Sequence, residues 1–207
     1  NKGISLFVVD MKYPGITVSP IWEMADKITN AVFYDEVRVP KRYLVGEKNR
    51  GWQYVTEALD NERMLMLGRI EETFGELVRY VKRTSRNSVP ISKDPLVRQK
   101  VADLAIEINI ARNLIRRVVW WQDNKVDPPA GHTAILKLFV SELYQKVARE
   151  GLEIMGFYGQ LRKHSKRSVA EGKMESLFRG AYVMTIGGGT SEIMRTLIAT
   201  KGLGLPR

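Results

Sequence analysis

Apolar residues recur at helical spacing at Val55, Leu59, Met66, Ile70, Phe74, Leu77 and Val81, and predict one long helix over Trp52–Lys82. Glu62 interrupts that stripe. Burial favours the neutral form of a carboxylate unless hydrogen bonds or a cation compensate, so Glu62 is a candidate general base. The plainer alternative is a residue at the stripe edge, paired with Arg63 or with a neighbouring helix. A second stripe of Val97, Val101, Leu104, Ile108, Ala111, Ile115 and Val118 predicts a helix from Asp94 or Pro95, with Asp94 as its cap and Pro95 in its first turn. Asp127-Pro128-Pro129 ends it. A third helix over Thr133–Glu150 places Ala134, Leu138, Leu143 or Tyr144, and Val147 inward. Gly151–Gly159 reads as a glycine-punctuated turn and Met174–Tyr182 as a fourth helical piece. The final helix runs from Thr190 to about Thr200, closed by Gly202 and Gly204.

The chain ahead of these helices has a different pattern. Ile4–Val9 is β-rich, Pro14-Gly15 signals a turn, Ile16-Thr17-Val18 resumes an extended run, and a third strand is expected over Asn30–Val39 before Pro40 forces an extended exit. This is too little to close a sandwich or barrel. The sheet is therefore expected to be completed by residues outside this chain or by another chain. Gly46–Gly51 is the natural hinge. The expected fold is mainly α, with an incomplete antiparallel β segment over residues 1–50 and a four-helix bundle domain over residues 51–207.

Composition narrows the chemistry. The 207 residues include no cysteine, which excludes disulfides, thiolate nucleophiles and cysteine-ligated metal sites, and the two histidines, His132 and His164, form no local metal motif. No apolar run reaches membrane-spanning length and no basic-then-apolar leader opens the chain, so a cytoplasmic protein is expected. The net charge of +10 suits either nucleic acid or a small anionic partner such as a phosphate-bearing cofactor. Neither a zinc finger, a GXXG loop nor an RNP-type strand is present to favour nucleic acid. There is no GxGxxG or Walker A pattern, so a nucleotide cofactor would need a different framework. The basic segment Gln160–Lys173 reads as a solvated surface and is assigned no role.

Two constellations carry information. Leu59-Asp60-Asn61-Glu62-Arg63 sets an arginine beside the stripe carboxylate, where it could hold a ligand phosphate or neutralise Glu62. Ile186-Gly187-Gly188-Gly189-Thr190-Ser191-Glu192 offers close backbone approach and a helix start capped by Thr190, where free amides favour an anion. An ordinary capped turn explains the second equally well.

Taken in order, these residues resemble the acyl-CoA dehydrogenase family. Phe33-Tyr34-Asp35-Glu36-Val37-Arg38-Val39-Pro40 followed by Leu44-Val45-Gly46-Glu47 is similar to the passage from the family's middle β domain into its C-terminal helical domain. Gly189-Thr190-Ser191-Glu192-Ile193-Met194-Arg195, with Arg179 before it and Ala199 after, resembles the closing signature. The resemblance covers essentially the whole chain, which corresponds to the end of the β domain plus the bundle. The family's N-terminal helical domain and early β segment have no counterpart here, so the isolated chain is expected to bind flavin poorly and to be inactive alone.

The resemblance implies FAD, an acyl-CoA substrate oxidised to the enoyl-CoA, and an electron-transfer flavoprotein as electron acceptor. It also implies homodimers or homotetramers, with a heteromeric assembly as an alternative, and no membrane insertion. The family's commonest base position falls on Gly188, which takes no proton. A second position, used in isovaleryl-CoA-like and long-chain members, falls on Glu62. Asp60 and Arg63 match residues that contact the CoA part of the substrate. Thr190 and Glu192, with Gly189 ahead of them, match residues near the adenosine or pyrophosphate part of FAD. Gln99 matches a glutamine near the flavin of a neighbouring subunit, and Gly156 falls in the match to a Gln-Ile-Leu-Gly turn in which Glu153 replaces the glutamine. The family arginine that reaches a partner's FAD pyrophosphate aligns near Ser88, leaving Arg86 as its candidate substitute. These departures keep two rivals open: a non-catalytic partner subunit of a heteromeric dehydrogenase, and a basic helical module for nucleic acid.

Overall fold

A computed structural model of the chain describes residues 3–62 and 67–206. The fold is mainly helical, and the chain divides into two compact units, Asn1–Asn61 and Glu62–Arg207.

In the first unit, strands β1 (Leu6–Phe7), β2 (Ile16–Trp22), β3 (Ile28–Tyr34) and β4 (Leu44–Val45) precede helix α1 (Gly51–Glu62). β2 and β3 form an antiparallel hairpin in register from Ile16 opposite Tyr34 to Trp22 opposite Ile28. β1 pairs antiparallel with β4. β3 begins two residues before the expected strand and stops at Tyr34 rather than Val39, because Glu36 takes a left-handed conformation (φ 49°) that no strand accommodates. The start of α1 is tied to the β segment: the Gly51 amide donates to Ile4 O at 2.9 Å, and the Glu47 amide donates to Tyr54 Oη at 3.0 Å. Trp22, Phe33 and Tyr34 stay exposed, as expected of an incomplete sheet.

The second unit holds α2 (Leu67–Arg83), the short hairpin β5 (Ser85–Arg86) and β6 (Val89–Pro90), α3 (Pro95–Asp123), α4 (His132–Met155), α5 (Lys173–Met184) and α6 (Ser191–Leu197). Residues 63–66 of the expected helix Trp52–Lys82 lie outside the described residues; α1 and α2 account for the rest of it. α3 starts where expected. The Asp94 carboxylate accepts from the Leu96 and Val97 amides with Pro95 next in line, and Val97, Leu104, Ile108, Ala111 and Val118 are buried.

α4 packs against α2, α3, α5 and α6 and forms the axis of the bundle. It runs five residues past its expected end. Gly151, expected to open a turn, sits inside the helix, where an added Cβ would lie 2.3 Å from Met174 Sδ; it is glycine because α5 packs there. α6 is shorter than the expected final helix and continues as a wider turn over Ile198–Gly202. Among the described residues, no helix is long and apolar enough to cross a membrane.

Candidate functional site

The residues singled out by sequence fall into separate groups. Glu62 is the last described residue of α1 and is exposed. The expectation of a carboxylate buried in an apolar stripe is therefore corrected for this chain: Val55 and Leu59 are half-buried, but Glu62 is exposed. Asp60 lies in the same last turn, and Arg63 lies outside the described residues.

The second group surrounds the start of α6. The Thr190 Oγ accepts from the Ile193 amide at 3.3 Å, the Ser191 amide donates to Thr185 O at 3.0 Å, and the Met194 amide donates to Thr190 O at 2.9 Å. The Glu192 carboxyl is held below its usual range, first by its own backbone amide and then by the Thr190 hydroxyl. The helix start thus satisfies its own amides instead of leaving them free for an anion. What it offers a ligand is the glycine backbone ahead of it, where Gly188 (φ 67°) and Gly189 (φ 109°) take conformations that disfavour side chains. A Cβ added at Gly188 would meet nothing within 4 Å. Thr190 and Glu192 line an open cleft of about 630 Å³ whose walls carry Gln145, Lys146 and Arg149 of α4. Charge in this cleft is largely paired, Lys146 with Glu107 and Arg195 with Glu142 (2.6 Å).

Sequence reasoning missed the residue beneath this turn. Lys137, on the inward face of α4, is completely buried and donates from Nζ to the Gly189 carbonyl, 52 residues away in sequence. A buried ammonium needs such acceptors to offset its desolvation. The signal was available, since Lys137 interrupts the apolar face of the third helix just as Glu62 interrupts the first stripe.

The third group sits at the other end of α4. Arg86, in β5, donates from Nη2 to Ile154 O, and its guanidinium lies 3.7 Å from where a Cβ on Gly156 (φ 60°) would stand. Glu153 and Gly156 line a second cleft of about 510 Å³, next to the Arg179–Glu175 ion pair. Gln99 is exposed on α3, and the next residue, Lys100, reaches Glu150 at 2.6 Å and pairs with Glu153. The structure therefore brings Arg86 and Gly156 together, and Gly189, Thr190 and Glu192 together. It leaves the two groups roughly 28 Å apart along α4, taking 1.5 Å of rise per residue from Lys137 to Gly156.

Comparison with known proteins matches residues 49–203 to the family described as acyl-CoA dehydrogenase, C-terminal domain. The chain belongs to the acyl-CoA dehydrogenase family. It is 29% identical over its whole length to acyl-CoA dehydrogenase FadE26 of Mycobacterium tuberculosis, covering 53% of that protein. The structure superposes on a variant of the Tcur3481-Tcur3483 steroid ACAD with a TM-score of 0.91 at 30% identity, covering 100% of this chain and 53% of that one. It superposes on the ChsE4-ChsE5 complex from M. tuberculosis with a TM-score of 0.89 at 28% identity, covering 99% and 53% respectively. The chain thus spans about half the length of these acyl-CoA dehydrogenases, and its similarity to them lies in their C-terminal portion.

Proposed function

We propose that the full-length protein is an FAD-dependent acyl-CoA dehydrogenase in which Glu62 removes the substrate α-proton. The observation that carries this reading is the open backbone at Gly188. At the family's commonest base position this chain has a glycine whose added Cβ would meet nothing within 4 Å, while an exposed carboxylate, Glu62, stands at the second position. The Glu62 carboxylate takes the α-proton, the electrons of that C–H bond form the Cα–Cβ double bond, and a hydride departs from the β-carbon. FAD supplies the acceptor for that hydride, a capacity that no side chain has.

The residues present fit such a group. Gly156 leaves room for close approach beside the Arg86 guanidinium, which suits a phosphate-bearing ligand, and the glycines ahead of Thr190 permit close backbone approach. In this reading Thr190, Glu192 and Gly189 hold one end of the cofactor, and Gln99, Arg86 and Gly156 serve a cofactor shared with a second protomer. Their separation along α4 supports a shared site in a homodimer or homotetramer. Asp60 and Arg63 contact the CoA portion, and an electron-transfer flavoprotein receives the electrons. The space at Gly188 suits a branched or bulky acyl chain, a reading strengthened by the steroid ACAD among the structural neighbours. A preference for short straight-chain thioesters would overturn that substrate class.

A second reading, a non-catalytic subunit in a heteromeric dehydrogenase, is favoured by the glycine at 188 and by the two-protein complex among the neighbours. Anaerobic mixing of the full-length protein with a panel of acyl-CoA thioesters separates the two. Flavin bleaching in the parent and its loss in a Glu62→Gln variant that retains FAD supports the first reading. Retained FAD with no bleaching in either protein supports the second.

A further inference from the structure

The carboxylate of Glu153 faces an awkward neighbourhood. It lines the same cleft as Gly156, its side chain is 53% exposed, and it stands where the family turn has a neutral glutamine. In the proposed function this surface holds a phosphate-bearing cofactor, and an uncompensated negative charge there would repel it. The structure supplies a compensating charge. Lys100, one turn into α3, projects its ammonium to α4 and pairs with Glu153 and, at 2.6 Å, with Glu150, a less exposed carboxylate one turn earlier.

We infer that Lys100 is a positioning residue for the cofactor surface: it cancels the charge of Glu153 and turns that carboxylate toward α3, so that the Gly156 turn remains open to an anionic dinucleotide. The inference rests on the FAD reading above. Independent support comes from the electrostatics of the pair. The Lys100 ammonium is held above its usual range, first by Glu150 and then by Glu153, and the Glu153 carboxyl is held below its usual range chiefly by Lys100, with Arg149 adding to the effect. Arg86 donates to Ile154 O at the end of α4 and lies against Gly156, and among the groups that lower the Glu153 carboxyl it is Lys100 and Arg149, not Arg86, that act. Lys100 touches the two carboxylates and is assigned no contact with substrate or cofactor.

The test compares FAD affinity, by flavin fluorescence, in the full-length protein and in Lys100→Met, Glu153→Gln and the double variant, at low and high salt. Lys100→Met is expected to weaken FAD binding about tenfold, the size of one unscreened like-charge interaction near a surface, and the weakening should shrink at high salt. The double variant should return to within about twofold of the parent, since removing both charges removes the conflict. Recovery of this kind is not expected of a lysine that only stabilises the fold. Parent-like FAD affinity in Lys100→Met, or a double variant as weak as Lys100→Met, would overturn the inference. A parent that binds no FAD would instead overturn the cofactor reading and the inference with it.

Discussion

Two lysines on adjacent helices show how burial assigns a role. Lys137 of α4 is completely buried and donates to the Gly189 carbonyl, whereas Lys100 of α3 is a third exposed and lies between two carboxylates. The first has no access to water, so losing its ammonium leaves the partly buried Gly189 carbonyl without its donor, and its main contribution is to the fold of the glycine turn. The second is partly hydrated and screened, so its pairing adds little to stability and acts mainly on the charge presented at the Gly156 turn. Residue type is the same in both cases. Surroundings decide the consequence.

That contrast can be broken by substitution, with effects read as urea denaturation of the full-length protein followed by circular dichroism. The largest loss is expected for Lys137→Ala, about 3 kcal/mol or more, because it combines a cavity with a lost charge-assisted hydrogen bond. Lys137→Met refills the volume and should lose about 1–3 kcal/mol. If Lys137→Met is as stable as the parent, the buried hydrogen bond contributes nothing net and the contrast collapses. Gly151→Val should cost about 1–3 kcal/mol by forcing Met174 from its place, and an unchanged denaturation midpoint would mean that α5 yields freely. Asp94→Ala removes the α3 cap and should cost about 1 kcal/mol.

The smallest effect is expected at Glu153. Glu153→Gln should change stability by less than about 1 kcal/mol, given the exposure of the pair. Its pH dependence has a definite sign. A carboxyl whose folded pKa is depressed stabilises the fold above its unfolded value, near 4.5, and loses that contribution as pH falls through the folded value. The difference between parent and Glu153→Gln should therefore be present at neutral pH and vanish on acidification. A difference that grows on acidification would contradict the pairing with Lys100.

Much of the bundle was legible in sequence because its signals were local. Asp94-Pro95 marked the start of α3 by cap and ring, and the stripe from Val97 to Val118 marked its buried face. Where tertiary packing overrode the local signal, sequence reading went astray. Gly151 looked like a turn because glycine usually punctuates helices, yet here it makes room for Met174. Glu62 was read as a carboxylate interrupting an apolar stripe, yet its side chain is exposed. Lys137 was not singled out, because lysine is usually a surface residue. Applying to the third helix the reasoning used for Glu62, that a charged residue inside an apolar face requires an explanation, would have found it. The pairing of Lys100 with Glu153 was not legible at all, since it joins residues 53 apart through the packing of α3 on α4.

The role of Glu62 as base is most directly tested apart from hydride transfer, with a 3-thia-acyl-CoA whose β-sulfur carries no hydride to lose. Incubated in deuterated water with full-length protein, this thioester should exchange its α-protons for deuterium in the parent. It should exchange no faster than the protein-free control in a Glu62→Gln variant that retains FAD. Parent-like exchange in that variant would contradict the assignment and require another group to remove the proton.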